Sequence, residues 1–462
     1  MTGWKNMLIN PADNVEVDLN TGHKIAVCDI KKGDSIIKYG FPIGHATENI
    51  SSGEKVHIHN IRTNLDSMLN YSYSPDYKPV KLSEKKVFFE GFRRKDGSVG
   101  IRNDIWIVNT VGCVNKTAQL IAEKTGAKYF SHPFGCSQLG DDQRFTQLIL
   151  KGMVNHPNAA GVLVLGLGCE NNNIGEFKKI LGEYDRDRVK FLNCQDSENE
   201  IEDGAGIVRG LKKYALQFKR ESISVSELKI GLKCGGSDGL SGITANPLVG
   251  RVSDMLISYG GSCVLTEVPE MFGAEHLLMK RCVSKEVFDK TVRLINDFKE
   301  YFIRHNQVIC ENPSPGNKDG GISTLEEKSL GCVQKGGMSP VVDVLSCGEP
   351  LEKNGLNLLS GPGNDLVAIT NLMASGVHMI LFTTGRGTPA GSAVPTAKIS
   401  TNAALAAKKK NWIDFDASPV LTGENLDKKL FDFCISIACG EKTKNELNGF
   451  EEISIFKDGV TL

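Results

Sequence analysis

The sequence predicts an α/β protein in which a small β-rich N-terminal domain is followed by two α/β domains with largely parallel sheets. Three observations support this fold class. The first 70 residues contain short strand-like runs separated by turns. Beyond residue 87, apolar runs, polar glycine-containing loops and helical stretches recur in that order, which indicates parallel βαβ units. A chain of 462 residues is also long enough for two or three domains, each with its own core.

Changes in composition divide the chain into four segments. Residues 1–70 form the N-terminal domain, and residues 71–86, with two prolines and three tyrosines, form an extended linker. Residues 87–221 form a middle α/β domain that carries glycine–cysteine loops. Residues 222–462 form a C-terminal α/β domain, which we expect to be catalytic.

Composition excludes several classes of function. A net charge of -1 without a long basic block argues against a nucleic-acid partner. No apolar run has the length of a signal-peptide core or the roughly 18 residues of a membrane span, so we expect a cytoplasmic protein that does not bind membranes. The 13 cysteines, an odd number, argue against a disulfide framework. The oligomeric state stays open, a homo-oligomer included.

The middle domain contains the most informative stretch, residues 161–173. Val162–Leu165 is a continuous apolar run, as expected for a strand buried on both faces. Two glycines follow it, and then a thiol, a carboxylate and three amides, among them Cys169 and Asn171. Open α/β sheets place their ligands at such a strand end. The alternative is a tight turn with a buried cysteine.

Three cysteines, Cys113, Cys136 and Cys169, each follow a glycine in a loop after a predicted strand. In a parallel sheet these loops leave at one edge and can converge. Thiolates select zinc, iron or an iron–sulfur cluster, and His132, four residues before Cys136, could join them. The spacing lacks a compact C-x-x-C motif, so buried cysteines or one lone functional thiol are the alternatives.

The N-terminal domain offers a second group of candidates. His57 and His59 are two residues apart, so on a strand they point to the same face and could form half of a metal or carboxylate site. The alternative is a pair of polar residues on an exposed strand. Arg62 follows at the strand exit and could reach a carboxylate.

The C-terminal domain contains a glycine-dense loop at residues 233–242. It has neither the phosphate-loop nor the dinucleotide-binding spacing, which argues against a nucleotide or nicotinamide enzyme. Lys233, Ser237 and Asp238 could instead bind hydroxyl groups or a carboxylate. The alternative is a tight connection between a strand and a helix.

Two further features of this domain could carry chemistry. Glu267 and Glu270 lie three residues apart at a predicted strand end, where they could supply a general base or a metal carboxylate, or begin a helix. Arg386 stands between two glycines, and an unhindered guanidinium suits bidentate binding of a carboxylate.

Longer motifs extend over nearly the whole chain. The first three, at the N-terminus, are TGHKIAVCDIKKGD, KYGFPIGHA and VHIHNIRTNL, and they resemble the SAF-type (β-clip) domain of the altronate/galactarate dehydratase family. The body of the family is similar to RKDGSVGIRNDIWIVNTVGCVN, FGCSQLGDD, VLGLGCENN, LKCGGSDGLSGITANP, LTEVPEMFGAE, ENPSPGNKDGGISTLEEKSLGC, TGRGTP and KKNWIDFDA. The chain departs from the family at residues 390–393, which leaves its specificity for the end of the sugar open.

The resemblance implies a hydro-lyase that dehydrates D-altronate to 2-dehydro-3-deoxy-D-gluconate with the help of a divalent metal. The partner would then be a small-molecule sugar acid, an aldonate. The alternatives are dehydration of a related acid, such as galactarate or a sulfonated hydroxy acid, and a non-catalytic sugar-acid-binding protein.

Dehydration of a 2,3-dihydroxy acid requires removal of the C2 proton, stabilisation of the enediolate and departure of the C3 hydroxyl group. A metal acting as a Lewis acid would serve the second step. The resemblance implies Fe²⁺ or a similar divalent ion such as Mn²⁺, and the three cysteines leave an iron–sulfur cluster as an alternative. We assign the candidate residues as follows: catalysis to Lys233, Asp238, Glu267 and Glu270; substrate binding to Arg62, Asn171, Ser237 and Arg386; metal to Cys113, Cys136, Cys169 and His132, with His57 and His59 as a second site.

Overall fold

The computed structural model describes residues 6–65 and 70–462. It confirms the predicted fold class, with small antiparallel sheets at the N-terminus and parallel sheets in the middle and C-terminal domains. None of the helices within these residues combines the length and the apolar character that crossing a membrane requires.

Short antiparallel strands build the N-terminal domain. Between residues 6 and 65 these are β1 (Asn6–Met7), β2 (Val15–Asp18), β3 (Lys24–Ala26), β4 (Ser35–Lys38), β5 (Phe41–Ala46), β6 (Lys55–Val56) and β7 (Ile61–Arg62). They form two sheets, in the orders β1-β2-β3-β6 and β4-β5-β7. Alternate residues of β2, Val15 and Val17, are buried, as a strand with one face on a core requires.

A four-stranded parallel sheet, of order β11-β10-β12-β13, organises the middle domain, which lies wholly within the described residues. Every residue of β12 is buried, which confirms the predicted central strand. A small antiparallel sheet, β14-β8-β9, flanks it. The elements are β8 (Phe88–Arg93), β9 (Val99–Gly100), β10 (Asp104–Asn109), α1 (Asn115–Thr125), β11 (Lys128–Phe130), α2 (Gly140–Asn155), β12 (Ala159–Gly166), α3 (Ile174–Leu181), β13 (Val189–Asn193), α4 (Glu200–Ala215) and β14 (Arg220–Ser224).

The C-terminal domain, also fully described, has a seven-stranded parallel sheet of order β17-β18-β16-β15-β19-β20-β21. Its elements are β15 (Lys229–Cys234), α5 (Ala245–Ser258), β16 (Ser262–Leu265), α6 (Glu275–Met279), α7 (Lys285–Arg304), α8 (Pro315–Asp319), α9 (Leu325–Cys332), β17 (Val341–Leu345), β18 (Leu356–Leu359), α10 (Asp365–Ala374), β19 (Met379–Thr384), β20 (Thr396–Ser400), α11 (Ala403–Lys408), β21 (Phe415–Asp416), α12 (Asp427–Ala438) and α13 (Lys444–Asn448).

The strand order of this sheet reverses at its centre. The chain starts at β15, moves to one side through β16, β17 and β18, and then returns to the other side of β15 with β19. A reversal of this kind leaves a crevice at the carboxyl ends of the strands, where parallel α/β sheets bind ligands.

The N-terminal domain packs directly on this carboxyl edge. Its buried apolar side chains belong to the same core cluster as those of α5 and α12. The backbone of Gly22 lies so close to the loop after β15 that a Cβ atom on Gly239 would be 1.9 Å from the Gly22 carbonyl oxygen. The small domain is therefore part of the wall around the crevice.

Candidate active site

A pocket of about 500 Å³ opens at the carboxyl edge of the C-terminal sheet. Loops after β15, β16 and β18 line it, together with the segment before α8, α8 itself and one residue of α9. The side chains that matter for chemistry are those of Cys234, Glu270, Lys328 and Asp365. Of the four predicted catalytic residues, Glu270 is the one that lines this pocket.

Glu270 and Lys328 form a buried ion pair in the pocket wall, with 2.9 Å between Oε1 and Nζ. Lys328 also donates to the side-chain oxygens of Asn312 at 3.0 Å and Asn317 at 3.1 Å. Burial alone would raise the pKa of Glu270, but the neighbouring lysines, Lys328 first, outweigh it and lower that pKa. Burial would lower the pKa of Lys328, and Glu270 reverses this. The pair therefore presents a carboxylate and an ammonium group to the pocket at neutral pH.

Lys233 lies beneath the pocket and is fully buried. It pairs with Glu267 and, at 3.0 Å, with Asp365, and it donates to the carbonyl oxygen of Gly363 at 3.2 Å. Burial would lower the pKa of Lys233, but Glu267 and the other carboxylates outweigh it and raise that pKa well above its ordinary value. A permanent positive charge therefore sits under the pocket floor.

Glu267 forms ion pairs with two buried lysines, Lys233 and Lys335. Its Oε2 lies 3.2 Å from Nζ of Lys335 and accepts a hydrogen bond of 3.0 Å from the backbone N–H of Cys234. Burial raises the pKa of Glu267 to about 7, against the opposing effect of Lys233 and Lys335. Its backbone has a φ of 71°, the left-handed region that side-chain-bearing residues rarely adopt, and such strain is concentrated at functional sites.

Two thiols complete the cluster. Cys332 donates to Oε2 of Glu270 at 3.3 Å and accepts from Nζ of Lys335 at 2.7 Å. The sulfur of Cys234 lies 2.8 Å from the hydroxyl oxygen of Ser237. Contact with Cys332 lowers the pKa of Cys234 well below its ordinary value and correspondingly raises that of Cys332.

Glu267, Glu270 and Cys332 offer ligand atoms within 4.8 Å of one another. Their charges are already neutralised, since Lys233 and Lys335 contact Glu267 and Lys328 contacts Glu270. A divalent cation placed among these atoms would be repelled by the same ammonium groups. The residues present here therefore do not fit a metal ion.

The remaining candidates of this domain have different surroundings. Asp238 accepts hydrogen bonds from Ser241 and Thr401, each at 2.9 Å, and so ties the glycine-dense loop to the end of β20 rather than facing the pocket. Burial raises the pKa of Asp238, and these hydrogen bonds oppose the rise. Arg386 is exposed, and its backbone N–H donates to the carbonyl oxygen of Gly236 at 2.9 Å. The backbone of Arg386 therefore lies next to Gly236, which lines the pocket, but Arg386 itself does not line it.

The cysteine loops lie on a different sheet. Cys113, Cys136 and Cys169 are exposed and follow β10, β11 and β12, at the carboxyl edge of the middle domain. The structure thus places them at one edge, but does not bring them into the lysine–glutamate cluster. Their sulfur atoms are not all within 4.8 Å of one another, whereas thiolates on a single zinc ion, at about 2.3 Å each, would be closer than this. As a donor set, three exposed thiols suit iron, but in this arrangement all three cannot bind one ion.

Two other predicted site residues, His132 and Asn171, lie near these loops and make hydrogen bonds within them. Both ring nitrogens of His132 have backbone partners, the carbonyl oxygen of Asn109 at 2.9 Å and the N–H of Phe134 at 3.2 Å, and burial lowers its pKa. His132 is therefore not free to bind metal in this arrangement. The side-chain oxygen of Asn171 accepts from the thiol of Cys136 at 3.4 Å, so it orders the loop instead of lining the pocket.

The expectation that His57 and His59 share a strand face is wrong. Strand β6 ends at Val56, because residues 57–60 form a turn in which the side chain of Asn60 accepts from the N–H of His57 at 2.9 Å. His59 is exposed, whereas His57 lies against the C-terminal domain, 2.9 Å from the hydroxyl oxygen of Ser323. Burial lowers the pKa of His57 to about 4. Arg62 is exposed and donates to the backbone carbonyl group of Ile61, away from the pocket.

Sequence reasoning missed Lys328, Lys335 and Asp365. A signal for the two lysines exists: Lys328, Cys332 and Lys335 are spaced four and three residues apart, which places them on one face of a helix. Asp365 was not singled out because its partner, Lys233, is 132 positions earlier in the chain.

The fold and the pocket define a three-domain α/β protein with a buried glutamate–lysine pair in a pocket at the carboxyl edge of a parallel sheet. Family models match each part of the chain: the altronate/galactarate dehydratase SAF domain at residues 10–64, the second domain of D-galactarate dehydratase/altronate hydrolase at 91–215, and the C-terminal D-galactarate/altronate dehydratase domain at 225–461. The chain belongs to the altronate/galactarate dehydratase family of hydro-lyases.

Individual relatives are similar along almost their full length. The chain is 54% identical to the altronate dehydratase of Bacillus subtilis (strain 168), over 97% of this chain and 93% of that protein. It is 53% identical to the altronate dehydratase of Escherichia coli (strain K12), over 98% and 94%. Its identity to the galactarate dehydratase (L-threo-forming) of Escherichia coli is 33%, over 91% and 86%.

Proposed function

We propose that this enzyme dehydrates D-altronate to 2-dehydro-3-deoxy-D-gluconate in the pocket that Glu270 and Lys328 line. The identity to the two altronate dehydratases is 53–54%, against 33% to the galactarate dehydratase, which favours altronate over galactarate. The observation that carries the mechanism is the ion pair between Glu270 and Lys328, because it presents a base and an acid to the same pocket.

Glu270 is the general base in this proposal. Its pKa is lowered, so it is ionised at neutral pH and can accept the C2 proton of a bound aldonate. Lys233 stabilises the enediolate that forms, because its buried ammonium group lies under the pocket floor and cannot lose its proton at neutral pH. Glu267 and Asp365 hold Lys233 in that position.

Lys328 is the general acid. Its raised pKa keeps it protonated until the C3–O bond breaks, when it gives a proton to the departing hydroxyl group. Water and an enol are the products of this step, and the enol becomes the 2-keto acid by taking up a proton at C3. In this proposal Arg386, whose backbone lies next to the pocket-lining Gly236, binds the substrate carboxylate through two parallel N–H donors.

We further propose that these cysteines bind a metal. Two of Cys113, Cys136 and Cys169 would hold a single Fe²⁺ or Mn²⁺ ion, since all three are too far apart for one ion in this arrangement, or all three would hold an iron–sulfur cluster. The support for this is the donor set, three exposed thiols on adjacent loops at one sheet edge. A metal bound there would supply Lewis-acid character toward an oxygen ligand.

A substrate panel tests the proposal. The purified enzyme is supplied with aldonates, aldarates and sulfonated hydroxy acids, and the 2-keto acid formed from each is measured. We expect D-altronate to have the highest kcat/KM. Higher kcat/KM for galactarate or a sulfonated acid would show that the assigned substrate is wrong, and absence of keto acid from every compound would indicate a binding protein.

A further inference from the structure

Helix α9 connects the N-terminal domain to the pocket. Glu326 and Glu327, in its first turn, contact the N-terminal domain, whereas Lys328, the next residue, pairs with Glu270. Cys332, at the end of the same helix, also contacts Glu270. Any shift of α9 along its axis would therefore move the acid of the proposed reaction relative to its base.

Two lysines of the N-terminal domain hold this helix. The carboxylate of Glu327 is buried, and its oxygens accept from Nζ of Lys24 and from Nζ of Lys38, each at 2.7 Å. The ammonium group of Lys24 also donates to the carbonyl oxygen of Gly321 and to the hydroxyl oxygen of Ser323, each at 2.8 Å. All three N–H groups of Lys24 are thus directed at the C-terminal domain, just before and within α9.

A second contact fixes the same turn of the helix. One oxygen of Glu326 accepts from the hydroxyl group of Thr63 at 2.9 Å, and the other accepts from the backbone N–H of Asn64 at 2.6 Å. Two consecutive residues of α9 are therefore held by two separate parts of the N-terminal domain. Buried charge-assisted contacts of this kind allow little displacement, because separation leaves an uncompensated charge.

We propose that the N-terminal domain is a positioning element for catalysis: Lys24 and Lys38 hold Glu327, fix helix α9, and thereby set Lys328 against Glu270. This inference rests on the proposed function, in which Lys328 and Glu270 are the acid and the base. Lys24, Lys38 and Glu327 act through α9, so they are positioning residues.

The chain supplies a matched control for a purely structural role. Lys299 is buried like Lys24, and it ties the segment that follows the N-terminal domain to the C-terminal domain through Glu275 at 3.3 Å and Tyr71 at 3.0 Å. Its partners lie on α6 and the linker, and neither Lys299 nor Glu275 lines the pocket. Each substitution removes a buried cation that joins the C-terminal domain to the segment before it, but of the two only Lys24 contacts a residue of α9 directly.

The experiment compares Lys24→Met and Lys299→Met with the wild-type enzyme, with Lys38→Met as a second variant in case Lys24→Met does not fold. The measurements are Tm, kcat, KM for D-altronate and amide hydrogen exchange of residues 325–336. We expect both variants to lower Tm. Lys24→Met should in addition lower kcat by about 10–100-fold with a smaller change in KM, and accelerate exchange in α9, since small displacements of catalytic groups cost this much.

Equal kcat and equal exchange of α9 in Lys24→Met and Lys299→Met would overturn the proposal. Lys24 and Lys38 would then only stabilise the contact between the two domains. If the wild-type enzyme forms no keto acid from any aldonate, the proposed dehydration fails. The exchange of α9 then still decides whether the lysines position the helix.

Discussion

Replacement of Glu270 by glutamine tests the assignment of the base while preserving the shape of the pocket. The wild-type carboxylate accepts from Lys328 at 2.9 Å and from Cys332 at 3.3 Å. The amide oxygen of the glutamine side chain can still accept from Lys328, which also keeps Asn312 and Asn317 as partners. The free energy of unfolding should therefore fall by only about 1–3 kcal/mol, less than when a buried charge loses every partner.

The catalytic loss should be larger than the loss of stability. Removal of a general base costs about 10²- to 10⁴-fold in rate, and at 1.36 kcal/mol for each factor of ten this is about 3–5 kcal/mol of transition-state stabilisation. We expect kcat for formation of the keto acid from D-altronate to fall by this factor, with a smaller change in KM.

The assay is steady-state formation of the 2-keto acid, with urea unfolding of the same preparations. Glu311→Gln is the matched control, because Glu311 is an exposed carboxylate that lines the same pocket. The control should stay within about threefold of wild type, as expected for a surface substitution. If Glu270→Gln also stays within this range, Glu270 is not the base.

Three further predictions concern the cysteine loops and the contact between the N-terminal and C-terminal domains. Cys169→Ser should lower the bound iron or manganese, measured by anaerobic metal analysis, while Cys28→Ser, another exposed cysteine, leaves it unchanged; full metal content in Cys169→Ser would contradict the thiolate site. Burial would raise the pKa of Glu327, but Lys24 and Lys38 outweigh it and lower this pKa from 4.5 to about 2. The ionised carboxylate therefore stabilises the fold above pH 4.5, and its contribution of about 3 kcal/mol to the free energy of unfolding is lost as the pH falls toward 2. The free energy of unfolding of Glu327→Gln should accordingly change less between pH 4.5 and 2 than that of wild type; equal slopes would count against the ion cluster. Gly239→Ala would place a Cβ atom 1.9 Å from the carbonyl oxygen of Gly22 and should lower the free energy of unfolding in urea by at least about 1–3 kcal/mol. The control is Gly206→Ala in α4, where the added Cβ atom would meet open space, and this change should be neutral or stabilising. Equal effects of the two substitutions would argue against the close contact between the domains.

The sequence contained enough to predict the architecture. The apolar run of β12 and the recurring strand–loop–helix order are local patterns, and the structure confirms the parallel sheets that they indicate. The sequence also predicts that Glu270 lies just after a strand, because a short apolar run, β16, precedes it.

The arrangement of the site depended on contacts between distant parts of the chain. The sequence predicts that Cys169 and Lys233 belong to different domains, but the strand–loop–helix pattern, which is the same in both, could not show whether the two sheet edges converge on one site. The orientation of Asp238 is set by Thr401, 163 positions later. The turn after β6 is set by a single amide, that of Asn60, which broke the expected alignment of the histidines.

The most direct test of the central claim follows the C2 hydrogen. D-Altronate deuterated at C2 is incubated with wild-type enzyme and with Glu270→Gln, and release of deuterium to water is measured together with formation of the keto acid. We expect the wild-type enzyme to release deuterium as it forms keto acid, and Glu270→Gln to do neither beyond about one hundredth of the wild-type rate. Release of deuterium by Glu270→Gln at the wild-type rate would show that another group removes the C2 proton.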